Sequence, residues 1–500
     1  MGGNKRKTHW AVRRKNRKAR AGDEGAVAVR QERVDRRAGF PEEIHPGSYA
    51  AQRKRAGDDA QQQEQEQQQE QAPLAPKRRY GMWVAFCGKN YSGMQMNEGV
   101  KTIEAELERA LFEAGGISET NYGFLQKIGW SRAGRTDKGV HAAGQMVTAK
   151  LHVGDDVEAF RHKVNELLPE DIRVMHMVTT TKNFNAKMSC DKRTYEYLAP
   201  TFIFAARQCK QRASASGGAA APEWPTGLLD EDGVPQDVAI DTATLDAQRA
   251  FRMSDETYGK LLATLRAFEG THNFHNFTSK LEPTSPKCQR FIMSFGADRP
   301  FVERDGMEWI RMRVVGQSFL LHHIRKMIGT AVEVVAGVTP LETIERAFQL
   351  DKMDLPKAPS VGLYLAQAHF EVYNQRLRTD ASTLPSAAAA GHPPLDFVGE
   401  EAVLERIEAF KRERIFKHIV EHEAATRPFA RWLKLLDTLP FDYVSRSLEQ
   451  WKKEKESLSS ITNRRDRLEA EKAMRFGGNS AEETKHEAAA ADKGDGDVSE

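Results

Sequence analysis

The residues whose types and spacing could do chemistry are concentrated in residues 130–144, which read WSRAGRTDKGVHAAG. The one acidic side chain of this segment, Asp137, stands between Arg135 and Lys138, and cations close to an acid favour its ionised form. An ionised aspartate that is held in place can act as a nucleophile or as a general base. The residues alone also allow an ordinary surface turn with ion pairs, which is common in loops.

The elements predicted around this segment make it a loop between a helix and a strand. Apolar residues recur every four positions within 102–115, which predicts a helix, and the alternation within 145–151 predicts a strand. Similar patterns predict strands at 82–86 and 194–200 and a helix at 157–168.

A comparable order of elements recurs later in the chain, with a helix at 255–269, strands at 289–296 and 307–315, and a helix at 320–336. This repetition predicts an α+β fold in which two similar halves, with antiparallel or mixed sheets, form a central cleft. Apolar spacing within residues 410–439 predicts further helices in a C-terminal extension that packs on these halves.

The composition is that of a globular chain without a membrane span. Of its 500 residues 40% are apolar, which is enough for two or three domains with buried cores. The mean hydropathy is −0.61 and there is no apolar run of about 18 residues, so we expect no membrane-spanning helix and no membrane partner. The four cysteines form no CxxC pair and no zinc-finger spacing with histidine, so we expect neither disulfides nor a metal site.

The formal net charge of +3 hides two oppositely charged ends. Residues 1–60 contain 16 Lys or Arg and 8 Asp or Glu, a net charge of +8, whereas residues 476–500 contain 2 and 7, a net charge of −5. The basic start is typical of a nuclear import signal or an RNA-contacting arm, and its lack of acids also allows a mitochondrial presequence. We expect a nuclear protein, with the mitochondrion as the alternative.

The chain also divides by composition into ordered and low-complexity segments. Residues 61–71, QQQEQEQQQEQ, cannot bury apolar surface, and residues 205–250 are rich in small and acidic side chains. The predicted organisation is a disordered basic arm and linker at 1–76, a first half at 77–204, a low-complexity insertion at 205–250, a second half at 251–375, a linker at 376–396, a helical extension at 397–475 and a disordered acidic tail at 476–500.

Six segments, in chain order and at plausible spacing, resemble motifs of the tRNA pseudouridine synthase A family. They are residues 86–95, 135–145, 184–197, 270–277, 318–329 and 358–365. Residues 410–441 resemble the eukaryotic branch of that family, which acts on tRNA and other RNAs. The resemblance implies an RNA-binding catalytic cleft and an isomerase that converts uridine to pseudouridine in tRNA and other structured RNA. It further implies that the enzyme needs no cofactor and acts as a monomer.

The same resemblance implies three catalytic residues. Asp137 matches the catalytic aspartate, which attacks C1′ of the ribose or acts as a base at C2′. Tyr195 matches a tyrosine that stacks on the target base and helps to remove the C5 proton. Arg325 matches a cation that pairs with the aspartate and keeps it ionised. Without the resemblance, strand packing would account for Tyr195 and helix capping for Arg325.

Further residues are implied to contact the substrate. Because the uridine must leave its stack, Arg135 is expected to fill the vacated space with its guanidinium group. Thr136 and Lys138 flank the aspartate in the same motif and are also assigned to substrate binding. Leu363 and Leu365 match apolar walls of the base pocket.

Other candidates and one other function stay open. Adjacent His322 and His323 suggest a metal, but no third ligand is evident, so a structural role or a phosphate contact is favoured. Phe319 is predicted to lie in the core, and Arg193 is a candidate phosphate contact by its charge. The alternative function is an RNA-binding or RNA-folding protein on the same scaffold, with catalysis incidental or lost. The presence of all three catalytic matches favours the enzyme.

Overall fold

The computed structural model describes residues 75–97, 99–207, 238–279, 281–383 and 392–438, with a few further positions between 230 and 236 and between 443 and 453. These residues belong to one compact unit, Gln69–Glu500. The predicted basic arm up to residue 74, most of the predicted insertion and the acidic tail lie outside the described residues.

The described strands form one mixed sheet of ten strands. They are β1 (Arg78–Phe86), β2 (Ser131–Arg132), β3 (His141–Leu151), β4 (Ile172–Thr179), β5 (Lys192–Pro200), β6 (Gly270–Asn273), β7 (Gln289–Ala297), β8 (Phe301–Val302), β9 (Glu308–Gly316) and β10 (Leu363–His369). Their order is β4-β1-β3-β10-β5-β9-β7-β6, with β2 added to β3 and β8 added to β9. The last strand, β10, thus lies in the interior of the sheet, parallel to β3 and antiparallel to β5.

Ten α-helices lie within the described residues, and side chains cap the starts of some of them. They are α1 (Ile103–Glu113), α2 (Val157–Leu167), α3 (Thr242–Ala250), α4 (Asp255–Arg266), α5 (His323–Val335), α6 (Glu342–Ala347), α7 (Glu371–Thr383), α8 (Glu401–Phe410), α9 (Lys417–Thr426) and α10 (Pro428–Thr438). Asp156 and Ser254 cap α2 and α4 by accepting hydrogen bonds from backbone N–H groups. Thr102 occupies the capping position of α1, but its side chain makes no capping bond.

Apolar side chains on the two faces of β1 enter different cores. Trp83 belongs to one cluster, whereas Met82 and Val84 belong to the other, as expected when successive strand residues point to opposite faces. Helices α1 and α2 contribute to the second cluster, and α4, α5 and the C-terminal helices contribute to the first. The predicted α+β class with a mixed sheet is confirmed.

The C-terminal helices pack in the first cluster, which also contains side chains of β5, β7, β9 and β10. Their buried side chains include Phe410, Ile415, Ile419 and Trp432, and they lie in the same cluster as Tyr364 of β10. A single turn of π-helix, Lys411–Phe416, joins α8 to α9.

The sequence prediction left out β4, β6, β8, β10 and α6, and three further elements differ from it. Helix α3 lies within the predicted low-complexity insertion at 205–250; it has no buried residue and so shows no apolar period, but Asp241 caps it by accepting from Thr244 N at 2.8 Å. Helix α7 continues to Thr383, into the predicted linker at 376–396. Strand β2 has two residues, too few for a periodic pattern.

Among the described residues, no helix combines the length and the apolar character needed to cross a bilayer.

Candidate active site

The loop that carries Asp137 opens into a cavity of about 1210 Å³. Its walls come from four other parts of the chain, at residues 185–188, Arg193 and Tyr195 of β5, residues 318–325, and residues 357–363. The fold therefore brings together four of the six segments that carry the resemblance, at 135–145, 184–197, 318–329 and 358–365.

Backbone contacts hold the Asp137 loop against the turn that follows β1. Met94 N donates to Thr136 O at 3.2 Å, and Gly139 N donates to Tyr91 O at 3.3 Å. Gly93 has a φ of 94°, and a Cβ there would lie 3.0 Å from Thr136 O, so a larger residue would be strained and crowded. Asp137 itself is exposed to the cavity, as a group that reacts with a substrate must be.

Two polar side chains clamp the beginning of this loop. Gln145 on β3 is fully buried; its Nε2 donates to Gly134 O at 3.0 Å, and its Oε1 accepts from Gly134 N at 3.2 Å. Arg193 donates from Nε to Ala133 O at 3.2 Å, and from Nη1 to Gln317 O at 2.8 Å. Arg193 thereby ties the Asp137 loop to the segment that leads into α5.

Sequence reasoning did not find these positioning roles. Arg193 was predicted as a phosphate contact from its charge, but its described hydrogen bonds go to two backbone carbonyls. Gln145 belongs to the motif at 135–145 and was given no role. A polar residue among the apolar positions of a predicted strand is a signal that it has buried partners.

Tyr195 lies on the wall of the cavity, with its ring edge-on to Phe319 at 5.1 Å between centroids. Burial raises the pKa of its hydroxyl to about 12, Arg193 works in the opposite direction, and the charge of Asp137 raises the pKa further. The phenol is therefore neutral at physiological pH. Phe319 packs against the core and also lines the cavity, so its prediction as a core residue was incomplete.

Arg325 reaches the cavity from the first turns of α5 and is almost fully buried. Its Nε donates to Ala358 O at 2.7 Å, and Ala358 N donates to Arg325 O at 3.1 Å. This close approach needs Gly329, because a Cβ there would lie 2.3 Å from Pro356 O. Arg325 and Asp137 line the same cavity, and their predicted pairing stays a prediction.

The predicted substrate-binding residues are not all at the cavity wall. Arg135, Lys138 and Leu363 line it, with both cations exposed. Thr136 also lines it, but its side chain is buried and its hydroxyl has no hydrogen-bond partner among the described residues. Leu365 is fully buried in the core and is not among the lining residues, which differs from its prediction as a wall.

The reason that Leu365 lies behind the cavity is its position in the sheet. It pairs with Tyr195 of β5 on one side and with Ala142 of β3 on the other. Its side chain is fully buried within the core cluster that α1, α2 and β1 form, so it presents no surface to a ligand. Leu363, two residues earlier, is half-buried and still borders the cavity.

The two adjacent histidines have different surroundings. His322 precedes α5 with a φ of 63°, and His323 is buried against the ring of Phe274 at 4.3 Å. Burial, and then the charge of Arg290, lower the pKa of His323 to about 3, so its ring is neutral. No cluster of three or more potential metal ligands occurs in the part of the chain that the structure describes.

The charge balance of the cavity is strongly one-sided. Asp137 is the single carboxylate among the described lining residues. Seven lining residues are cations: Arg132, Arg135, Lys138, Lys187, Arg193, Arg325 and Lys357. Such a lining suits a polyanion with a flexible backbone, and one acid at its centre is a candidate nucleophile or base. These features define a class of proteins, enzymes that act on nucleic acids.

Comparison with known proteins narrows this class. A sequence profile of the family described as tRNA pseudouridine synthase matches residues 265–371. The chain is 38% identical over 373 residues to the pseudouridylate synthase 1 homolog of Mus musculus, covering 74% of this chain and 75% of the relative. It is 39% identical over 356 residues to the Homo sapiens pseudouridylate synthase 1 homolog, covering 71% of each.

A fungal relative gives the same result. The chain is 32% identical over 409 residues to tRNA pseudouridine synthase 1 of Candida glabrata, covering 73% of this chain and 72% of the relative. The chain belongs to the tRNA pseudouridine synthase A family, which the sequence resemblance predicted.

Proposed function

We propose that this protein is an isomerase that converts uridine to pseudouridine in tRNA. Membership of the family supports the reaction, since two mammalian and one fungal relative carry the name of this activity. The observation that carries the proposal is Asp137, the single carboxylate among the described lining residues of a cavity with seven cations. The cations suit RNA phosphates, and the carboxylate suits attack on a ribose.

The reaction has to begin with extrusion of the uridine from its stack, which costs a few kcal/mol. Arg135, exposed at the cavity, is placed to occupy the space that the base leaves, because a guanidinium plane can stack on the neighbouring bases. Seven cations around the cavity favour the phosphates on either side of the flipped nucleotide. We assign the cavity to the RNA-binding cleft between the two halves.

Asp137 then acts on the extruded nucleotide. It either attacks C1′ or removes a proton at C2′. In both cases the glycosidic bond breaks and the base leaves with its electron pair. The detached uracil rotates within the cavity, and C5 bonds to C1′ as the bond between Asp137 and C1′ breaks or, on the second route, as C2′ regains its proton. The C5 proton passes to a base or to solvent, and N1 takes up a proton. No atom is gained or lost overall, so the chemistry needs no cofactor.

Tyr195 and Leu363 hold the base during this rotation. Tyr195 provides an aromatic face, and its hydroxyl, protonated at physiological pH, can relay the C5 proton by accepting one proton while it gives up another. Leu363 supplies an apolar contact from the neighbouring strand, β10. Arg325 stabilises the ionised form of Asp137 if the predicted pair forms.

The test is replacement of Asp137 with Asn in an assay of tritium release from C5-labelled uridine in tRNA. We expect a loss of at least about a thousandfold in turnover, because a residue that acts in covalent or base catalysis has no substitute in the cavity. Glu421→Gln, a change to an exposed carboxylate of α9, is the matched control and should retain turnover. Normal turnover by a folded Asp137→Asn protein would contradict the assignment.

The same assay separates the enzyme from the alternative, an RNA-binding or RNA-folding protein. A protein of that kind would bind tRNA with no tritium release, and its Asp137→Asn variant would bind as the parent does. We further propose that other structured RNAs are substrates, that the protein acts as a monomer and that it resides in the nucleus rather than the mitochondrion. Pseudouridine mapping in cells with and without the protein, sedimentation and fractionation test these three points in turn.

A further inference from the structure

The C-terminal helices contact the rear of the strand that carries Tyr195. Glu196 follows Tyr195 on β5, so its side chain points to the opposite face of the sheet. The side chain of Glu196 is 3% exposed. Lys411, at the start of the π-helical turn between α8 and α9, lies 3.2 Å from Glu196 Oε2 and is 5% exposed.

Glu196 is the centre of a buried polar network. Arg313 of β9 donates to its Oε1 at 2.8 Å, and the hydroxyl of Tyr364 on β10 donates to its Oε2. Burial opposes ionisation of Glu196, but Lys411, Tyr364 and the two arginines of β9 outweigh it and lower the pKa of the carboxyl. Glu196 is therefore a buried carboxylate whose charge is balanced by Lys411 and by two arginines of β9, and which accepts a further hydrogen bond from β10.

The network sits directly behind two residues of the cavity. Tyr195 and Leu363 line the cavity, and the residue after each of them, Glu196 and Tyr364, belongs to the network. Glu196 and Tyr364 face each other in the register of β5 and β10. A displacement of either network residue must therefore move a cavity residue on the other face of the same strand.

The segment that contains Lys411, between α8 and α9, has an unusual helical conformation. Residues 411–416 form π-helix, a rare conformation that occurs mostly as single turns within α-helices and is frequent at functional sites. Lys411 also bonds Glu408 of α8 at 2.7 Å, and Phe416 packs on the ring of Tyr364 at 5.8 Å between centroids. Both ends of the π-helical turn thus engage the strands behind the cavity.

We propose that Lys411 is a positioning residue for the isomerisation, which fixes Tyr195 and Leu363 through Glu196 and Tyr364. The inference rests on the proposed function of the cavity. Without its ammonium group, Glu196 would be a buried carboxylate short of one partner, and such a charge is relieved by movement of the strands or entry of water. A shift of about 1 Å at a reacting centre can cost up to a hundredfold in rate.

The experiment compares Lys411→Met, which removes the charge but keeps the length of the side chain, with Lys417→Met as matched control. Lys417 lies six residues further on, is exposed, and pairs loosely with Glu421 at 3.8 Å. Turnover and KM are measured on tRNA by tritium release, at a temperature where circular dichroism shows each protein to be folded. We expect kcat of Lys411→Met to fall about tenfold with KM nearly unchanged, whereas Lys417→Met keeps both.

A double variant, Glu196→Gln with Lys411→Met, removes the unbalanced charge and should recover most of the lost kcat. A purely structural role would lower the melting temperature of Lys411→Met and leave kcat of the folded protein at the parent value; that result would overturn the inference. If Lys411→Met does not fold, Tyr364→Phe, which removes one hydroxyl, takes its place: a fall in kcat supports the inference and an unchanged kcat overturns it.

The parent protein in the same assay distinguishes failure of the proposed function from failure of the inference about Lys411. Absence of tritium release from any tRNA would contradict the proposed function, and the inference with it. Normal turnover by the parent together with normal kcat in Lys411→Met would contradict the inference alone.

Discussion

At the scale of single residues, Arg193 does something that its charge does not predict. It lies two residues before Tyr195 on β5, and it bonds the carbonyls of Ala133 and Gln317. One guanidinium group therefore joins the strand of Tyr195, the loop of Asp137 and the segment that leads to Arg325. Its five donors in a fixed plane suit this task, which a lysine could not perform.

Replacing Arg193 with Met should lower kcat by about tenfold to a hundredfold, because the Asp137 loop loses its link to β5 and to the segment before α5. The measurement is steady-state turnover on tRNA, with binding followed separately. Lys182→Met, at an exposed lysine outside the cavity lining, is the matched control. If Arg193 were a phosphate contact instead, the variant would lose affinity and salt dependence and keep its kcat.

Arg135 gives a prediction of a different kind. If its guanidinium replaces the extruded base, Arg135→Ala should reduce turnover on folded tRNA by about tenfold and reduce binding much less. A short single-stranded RNA, whose uridine is already unstacked, should be affected less than tRNA. Equal losses of turnover and of salt-dependent affinity on both RNAs would mark Arg135 as a phosphate contact.

The sequence predicts the reactive residues better than the residues that hold them in position. The motifs identified Asp137, Tyr195 and Arg325, and all three line one cavity. They did not distinguish Leu363 from Leu365, because strand alternation puts both on one face and only the sheet shows where the cavity ends. The positioning role of Arg193 was missed, because a charge by itself does not show which backbone groups lie within reach.

At the scale of elements, short stretches of sequence predict the helices and strands along the chain, but they do not predict which strands lie next to each other in the sheet. Apolar periodicity gave β1, β3, β5, β7 and β9 and the helices α1, α2, α4 and α5 at nearly their observed positions. The central place of β10 depends on Tyr364 pairing with His141, more than 200 residues away, and with Glu196. No pattern within a short window encodes such a pairing.

The junction of α9 and α10 predicts a pH dependence of stability. Glu423 is buried and accepts hydrogen bonds from Phe429 N at 2.9 Å and Ala430 N at 3.3 Å. Burial raises the pKa of its carboxyl to about 8, although these hydrogen bonds and the nearby Arg427 and Arg431 oppose the rise. The folded protein therefore holds the proton more tightly than the unfolded chain does.

Because the folded-state pKa is raised, protonated Glu423 stabilises the folded protein fully below the unfolded pKa of 4.5. This stabilisation is lost as the pH rises to about 8. The loss is roughly 1.4 kcal/mol per unit of pKa difference. Glu423→Gln removes this titration, so its melting temperature relative to that of the parent should rise between pH 5 and pH 9. A difference in melting temperature between the variant and the parent that stays constant from pH 5 to pH 9 would contradict a raised pKa for Glu423.

At the scale of the whole molecule, the formal net charge of +3 says little about RNA binding. The cavity concentrates seven cations around one carboxylate, while most other charges of the chain balance one another. Affinity for a polyanion depends on such local arrangement and on the counterions that the RNA releases, more than on total charge. The sequence gives the total charge, and only the fold gives its arrangement.

Because of this arrangement, the salt dependence of tRNA binding measures how many phosphates the cations of the cavity contact. Lys187 is exposed and lines the cavity, whereas Lys417 on α9 is exposed and lies outside its lining. Each phosphate contact adds about one unit to the slope of log affinity against log salt, so Lys187→Gln should reduce the magnitude of that slope by about one. Lys417→Gln, with the same change of net charge, should leave the slope as in the parent. Equal effects of the two variants would mean that tRNA responds to the overall charge of the protein, and that the cavity is not where its phosphates bind.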